Sequence, residues 1–127
     1  MSATVVWHPN LPGVLLMKIQ GNVTEAEVLA VSEQESDLIV SANQVVDTII
    51  DAQDLGQVPP NFVMLMPRIA NMPAARHPNA GVKAVVGVGG VGGALLNVFS
   101  RLYHKIYFFA LMSEAEQFIV QKRSANG

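Results

Sequence analysis

At 127 residues, half of them hydrophobic and 14% charged, the chain is sized for one domain with a buried core. It has no cysteine, which excludes a disulfide frame, a thiolate metal site and a thiol nucleophile. A net charge of −2 with scattered bases and no aromatic interleaving argues against nucleic-acid binding.

The chain opens on a β-type run, Ala3 to His8, followed by the turn Pro9-Asn10-Leu11-Pro12-Gly13. Val14 to Gln20 reads as a second strand closed by Gly21-Asn22, and so short a link predicts antiparallel pairing of the two. Thr24 with Glu27 forms a capping box and starts a helix with Val28, Val31, Leu38 and Ile39 on one face, and Glu25, Glu33 and Asp37 on the other. Gln44 to Asp51 is the third strand. Its Val45, Val46, Ile49 and Ile50 are too apolar for half exposure and predict a covered parallel sheet.

Ala52 to Pro60 reads as a loop, and Asn61 to Met72 as a helix kinked or divided at Pro67. Val82 to Val88 is the fourth strand, Ala94 to His104 a helix, and Lys105 to Met112 the fifth strand. Ser113 with Glu116 makes a second capping box for a final helix that turns Ala115, Phe118 and Ile119 inward. The order ββαβαβαβα predicts an α/β domain spanning residues 1–127, with a five-stranded mixed sheet covered by helices. His8-Pro9-Asn10 and His77-Pro78-Asn79 both precede apolar strands, which points to shared turn chemistry.

Charge is split along the chain. Residues 1–60 hold eight acids and one base, giving −7, and residues 61–127 hold seven bases and two acids, giving +5. Such polarity can steer association. The low charge content points to surface covered by a partner or a second copy, so a homodimer is an expectation. The longest uncharged stretch, 84–100, contains five glycines and Asn97 and reads as strand, turn and helix, not as a membrane span. The start has no basic segment leading into an apolar run, so a cytoplasmic location is expected.

Gly87, Gly89 and Gly92 fit G-x-G-x-x-G, and Glu114 falls near the position of a ribose-binding acid. In a dinucleotide fold, however, those glycines follow the first strand, and here three strands precede them. Close packing by the glycines is the plainer reading; an anion at the following helix start is the functional one. Asp47, Asp51 and Asp54 could be imagined around Mg²⁺, but Asp51 and Asp54 read as loop acids bonding nearby backbone N–H groups. The three histidines lack metal spacing, and His104 with Ser100 reads as a surface pair.

The segments VLLMKIQGNVT (14–24), QVVDTIIDAQDLG (44–56), GVKAVVGVGG (81–90) and KIYFFALMSEAEQFIV (105–120) together resemble a STAS domain (sulfate transporter and anti-sigma-factor antagonist) of the SpoIIAA-like branch. The resemblance implies a non-enzymatic binding or regulatory module. Anti-sigma antagonists of that family carry a phosphorylatable hydroxyl after the third strand, but the matching Asp51-Ala52-Gln53-Asp54-Leu55-Gly56 has none, so that switch is not carried over. Apolar ligands beside the sheet, which the resemblance also implies, would suit Phe62, Met64, Met66 and Met72.

The expected site therefore combines Phe62, Met64, Met66, Met72 and Arg76 with Gly89, Gly90 and Arg101, taking an apolar or anionic small ligand or a protein partner. No catalytic residue, metal or cofactor is assigned. The rival reading is a nucleotide- or anion-binding enzyme built on the 87–93 glycine loop.

Overall fold

The first two strands follow from alternation and a tight turn. In the computed structural model, which describes residues 2–56, 61–87 and 105–126, β1 (Ala3–Trp7) pairs antiparallel with β2 (Val14–Ile19) in unbroken register from Ala3 opposite Ile19 to Trp7 opposite Leu15. His8 closes the turn between them. Its Nδ1 accepts the backbone N–H groups of Asn10 at 3.0 Å and Leu11 at 3.1 Å. Accepting there puts the ring proton on Nε2, which lies 2.7 Å from a carboxylate oxygen of Glu116. His77 repeats the device, its Nδ1 accepting the Asn79 N–H at 3.1 Å. The two His-Pro-Asn triplets thus share turn chemistry.

Helix α1 (Glu25–Ser41) starts at the expected capping box: the Thr24 side chain accepts from the Glu27 N–H at 3.2 Å, and the Glu27 carboxylate accepts from the Thr24 N–H at 3.0 Å. At its far end the Asn79 side-chain amide donates to the carbonyls of Ile39 and Ala42, two of the acceptors a helix terminus leaves open. Strand β3 (Val46–Asp51) then lies parallel to β2. It begins two residues later than expected, and Val45 stands outside it with half its surface exposed.

Helix α2 (Phe62–Ala70) carries Pro67 inside and is not divided there; it stops before Met72, and a 3₁₀ turn (Pro73–Arg76) follows. Strand β4 (Ala80–Val86) is parallel to β3, and β5 (Ile106–Phe109) is parallel to β4, shorter than the expected 105–112. The last helix, α3, runs from Met112 to Asn126. Its start is held by Glu114, whose carboxylate accepts the Leu111 N–H at 3.0 Å. The N-cap is therefore Leu111, two residues before Ser113, and Glu116 is engaged by His8 instead. The end of the expected fourth strand at Val88 and the expected 94–104 helix lie outside the described residues.

The sheet order is β1-β2-β3-β4-β5, one antiparallel pair followed by three parallel ones. Crossovers of one hand between successive parallel neighbours bring α1 and α2 to the same face. There Val28 and Val31 of α1 and Leu65 and Met66 of α2 pack on Ala3 and Met17. On the other face Ala115 and Ile119 of α3 pack on Val14, Ile49, Val82, Ala84 and Val86. Phe118 fills the β5 side, its ring 4.6 Å from Tyr107 and 5.3 Å from Phe109 between centroids. The chain is an α/β domain with a five-stranded mixed sheet, as its pattern predicts.

Candidate functional site

Helix α1 buries more than its apolar stripe. Ser32, Glu35 and Ser36 lie among Val28, Val31 and Ile39 on the inward face. Burying a carboxylate costs heavily unless it is paired, and β4 supplies the partner: Lys83 Nζ sits 2.7 Å from Glu35 Oε2. Strand register sets Thr48 of β3 beside Lys83, buried. Ser36 Oγ accepts the Ala74 N–H at 3.1 Å, which ties the 3₁₀ turn to α1.

These groups form the floor of a cleft of about 530 Å³ between α1, the end of α2, the 3₁₀ turn and the first halves of β3 and β4. Its walls are apolar at Ile39, Ile69, Ala70 and Met72, and Arg76, His77 and Lys105 also line it. Lys83 is matched by Glu35, so Arg76 and Lys105 leave the described lining net positive. The arrangement can seat a small molecule with an apolar body and an anionic head.

Of the residues expected from sequence, Met72 and Arg76 line this cleft. Met66 does not: it is fully buried in the core with Leu65. Phe62 packs against the same core, and Met64 is turned outward and 74% exposed. Positions 62, 66 and 69 fall on one helical stripe and 64 on the opposite side, so the methionines do not form one surface. Gly89, Gly90 and Arg101 lie outside the described residues. Gly87, just ahead of them, follows the far end of β4 from the cleft. It takes a positive φ of 84° and presses on Gln53, where a Cβ would come within 2.8 Å of the Gln53 Cα.

A second charged cluster lies on the opposite face. Asp47 of β3 is fully buried. Between Val46 and Thr48 the β3–β4 register slips, so that Gly81 and Val82 together face this one residue. The Val82 N–H that the bulge frees donates to Asp47 Oδ1 at 2.8 Å. Lys122 Nζ reaches the same oxygen at 2.8 Å, and Arg123 donates to Oδ2 through Nε at 3.0 Å. Arg123 also donates to the carbonyls of Pro12 and Gly13. The Asp47 carboxylate is thus engaged by cations and a backbone N–H, and Asp51 Oδ1 accepts the N–H and side chain of Gln53. Among the described residues no group of His, Asp or Glu is placed to hold a metal. This cluster is a brace between α3, β3 and the β1–β2 turn.

The Glu35–Lys83 pairing is not anticipated by the sequence pattern. The available signal was Glu35 itself, a carboxylate at the core spacing Val31, Glu35, Ile39. Among the described residues no helix is long and apolar enough to cross a membrane. No protein-family model matches this chain, and no curated protein matches it in sequence.

Proposed function

We propose that the protein is a non-catalytic, ligand-binding regulatory module of STAS or SpoIIAA-like type, and that its ligand is a small amphipathic anion held in the α1–β4 cleft. One observation carries the reading: the buried Glu35–Lys83 pair anchors a cleft whose remaining cations, Arg76 and Lys105, have no carboxylate partner among its described lining, beside a wall of aliphatic side chains. The cleft sets an aliphatic wall against convergent polar groups, the combination that orients a small ligand. The resemblance noted above implies a non-enzymatic binding module, without the family's phosphorylation switch because the 51–56 loop has no hydroxyl.

Native mass spectrometry of gently purified protein, compared with its denatured mass, is expected to reveal an adduct that is lost on unfolding. The fluorescent anion 8-anilinonaphthalene-1-sulfonate supplies the second arm. Replacing the rim cations together, Arg76→Gln with Lys105→Gln, is expected to weaken its binding by about tenfold, as loss of a charge-assisted contact does. A bare native mass, together with unchanged dye affinity in that variant, would sink the reading.

A further inference from the structure

Five polar or charged side chains are buried among the described residues: Ser32, Glu35, Ser36, Asp47 and Thr48. Two of them are fully engaged. Asp47 takes the Val82 N–H, Lys122 and Arg123 on the α3 face, and Ser36 Oγ takes the Ala74 N–H. The other three line the cleft, and their hydrogen bonding is incomplete. No described group bonds to the side-chain hydroxyl of Ser32 or of Thr48. The Lys83 ammonium takes Oε2 of Glu35, and no described group bonds to Oε1. Among the described residues no sealed side-chain oxygen lacks a partner, so the unmet bonding capacity of these three faces the cleft.

These groups stand around one ion pair. Ser32 is the helical neighbour of Glu35 on α1, and Thr48 lies beside Lys83 in the β3–β4 register. A ligand that covers them must supply partners or leave buried polar atoms unpaired, which is costly. An anionic group cannot do so, because Glu35 Oε1 only accepts and repels negative charge; the anion belongs at Arg76 and Lys105 on the rim. An ammonium would meet Lys83 at 2.7 Å from the same carboxylate. A hydroxyl suits the floor: it donates one hydrogen bond to Oε1 and accepts another from a neighbouring hydroxyl.

We propose that the ligand class of this cleft is an amphipathic hydroxy acid, whose hydroxyl donates to Glu35 Oε1 and accepts from Thr48 or Ser32 while its carboxylate meets Arg76 and Lys105. Its chain lies along the aliphatic wall of Ile39, Ile69 and Met72. The proposal rests on the anion-binding reading above and adds the hydroxyl, which that reading does not require.

Displacement of 8-anilinonaphthalene-1-sulfonate from the full chain tests it with decanoate, β-hydroxydecanoate and ω-hydroxydecanoate. The three share charge and chain length, and the last two differ only in where the hydroxyl sits. β-Hydroxydecanoate is expected to displace the dye at about one tenth of the concentration that decanoate needs, and ω-hydroxydecanoate to show no such gain. In Thr48→Val with Ser32→Ala the gap is expected to narrow to about threefold, since only Glu35 then meets the hydroxyl. If that pair of substitutions does not fold, Ser32→Ala alone makes the same comparison. Equal displacement by decanoate and β-hydroxydecanoate would overturn the proposal and leave the anion-binding reading standing, with water filling the floor. A gap that survives the substitutions unchanged would also overturn it. Failure of all three acids to displace the dye would remove the anion-binding reading together with the proposal.

Discussion

Gly81 leaves the space that Asp47 occupies: a Cβ at position 81 would fall 2.1 Å from Asp47 Oδ1 and 2.7 Å from the Val46 carbonyl oxygen. The bulge, the missing side chain and the buried carboxylate are one arrangement. Gly81→Ala must push the carboxylate off its donors or reshape β4, a cost of about 1–3 kcal/mol for overpacking. Urea denaturation measures it. The cost is expected to shrink when Asp47 is replaced by Ser in the same chain, because coupled neighbours do not add. Equal costs in both backgrounds would mean that the Val46 carbonyl alone sets the limit.

Removing the carboxylate leaves three donors without their acceptor. Asp47→Ala is expected to lose about 3 kcal/mol, the low end for breaking a buried ion pair. The low end applies because the Lys122 and Arg123 side chains keep 25% and 35% of their exposure and can return to water. The loss should appear in the midpoint of denaturant unfolding. A change within a few tenths of a kcal/mol would show that the brace is dispensable.

The α1 capping box predicts an acid-side effect. Hydrogen bonds from Thr24, and a further one from the Ser2 N–H, favour the ionised Glu27 and hold its carboxyl below the ordinary 4.5. The unfolded chain therefore takes up the proton first as the pH falls. Glu27 contributes its stability in full above the ordinary value and loses it as pH drops through the lowered one. Thermal melts from about pH 6 to about pH 3 are expected to fall less steeply for Glu27→Gln than for the wild type. Parallel curves would exclude the carboxylate as a source of acid lability.

The histidine turns make a rescue experiment. An asparagine side chain offers its oxygen to the N–H two residues on, much as Nδ1 does here. His77→Asn is expected to hold stability to within about 0.5 kcal/mol, and His77→Ala to lose about 1 kcal/mol with the Asn79 bond. At position 8 the same asparagine is expected to rescue only in part, because the imidazole also reaches Glu116. Chemical denaturation of these variants, with His8→Ala as the fourth, separates the cases.

The elements themselves were legible wherever local chemistry dominates. The Thr24–Glu27 box, the antiparallel first pair and the inward set Ala115, Phe118 and Ile119 all follow from spacing and capping alone. Boundaries failed in two ways: Val45 is as apolar as Val46, but the pairing with β4 begins at Val46 opposite Ala80, and the α3 start is set by Glu114 closing on the Leu111 N–H, a local bond that competes with the expected Ser113 cap. Met72 and Arg76, expected at a site with the glycine loop, line the cleft instead beside the Glu35–Lys83 pair, whose residues lie 48 positions apart. Its formation depends on a register slip at Asp47 that no local pattern encodes. Met64 and Met66 are expected on one ligand surface, yet helical phase sends one outward and the other into the core.

The ion pairs of Glu35 with Lys83 and of Asp47 with Lys122 and Arg123 each join an acid of the first sixty residues to a base of the remainder. The two signs of charge are thus separated along the chain and brought together in space. The carboxylates of Glu35 and Asp47, buried on opposite sides of the sheet, find their counter-charges only in the second half, at Lys83, Lys122 and Arg123. A fragment holding β1, β2, α1 and β3 alone would bury two carboxylates without partners, so the first half of the chain completes its core only with the second.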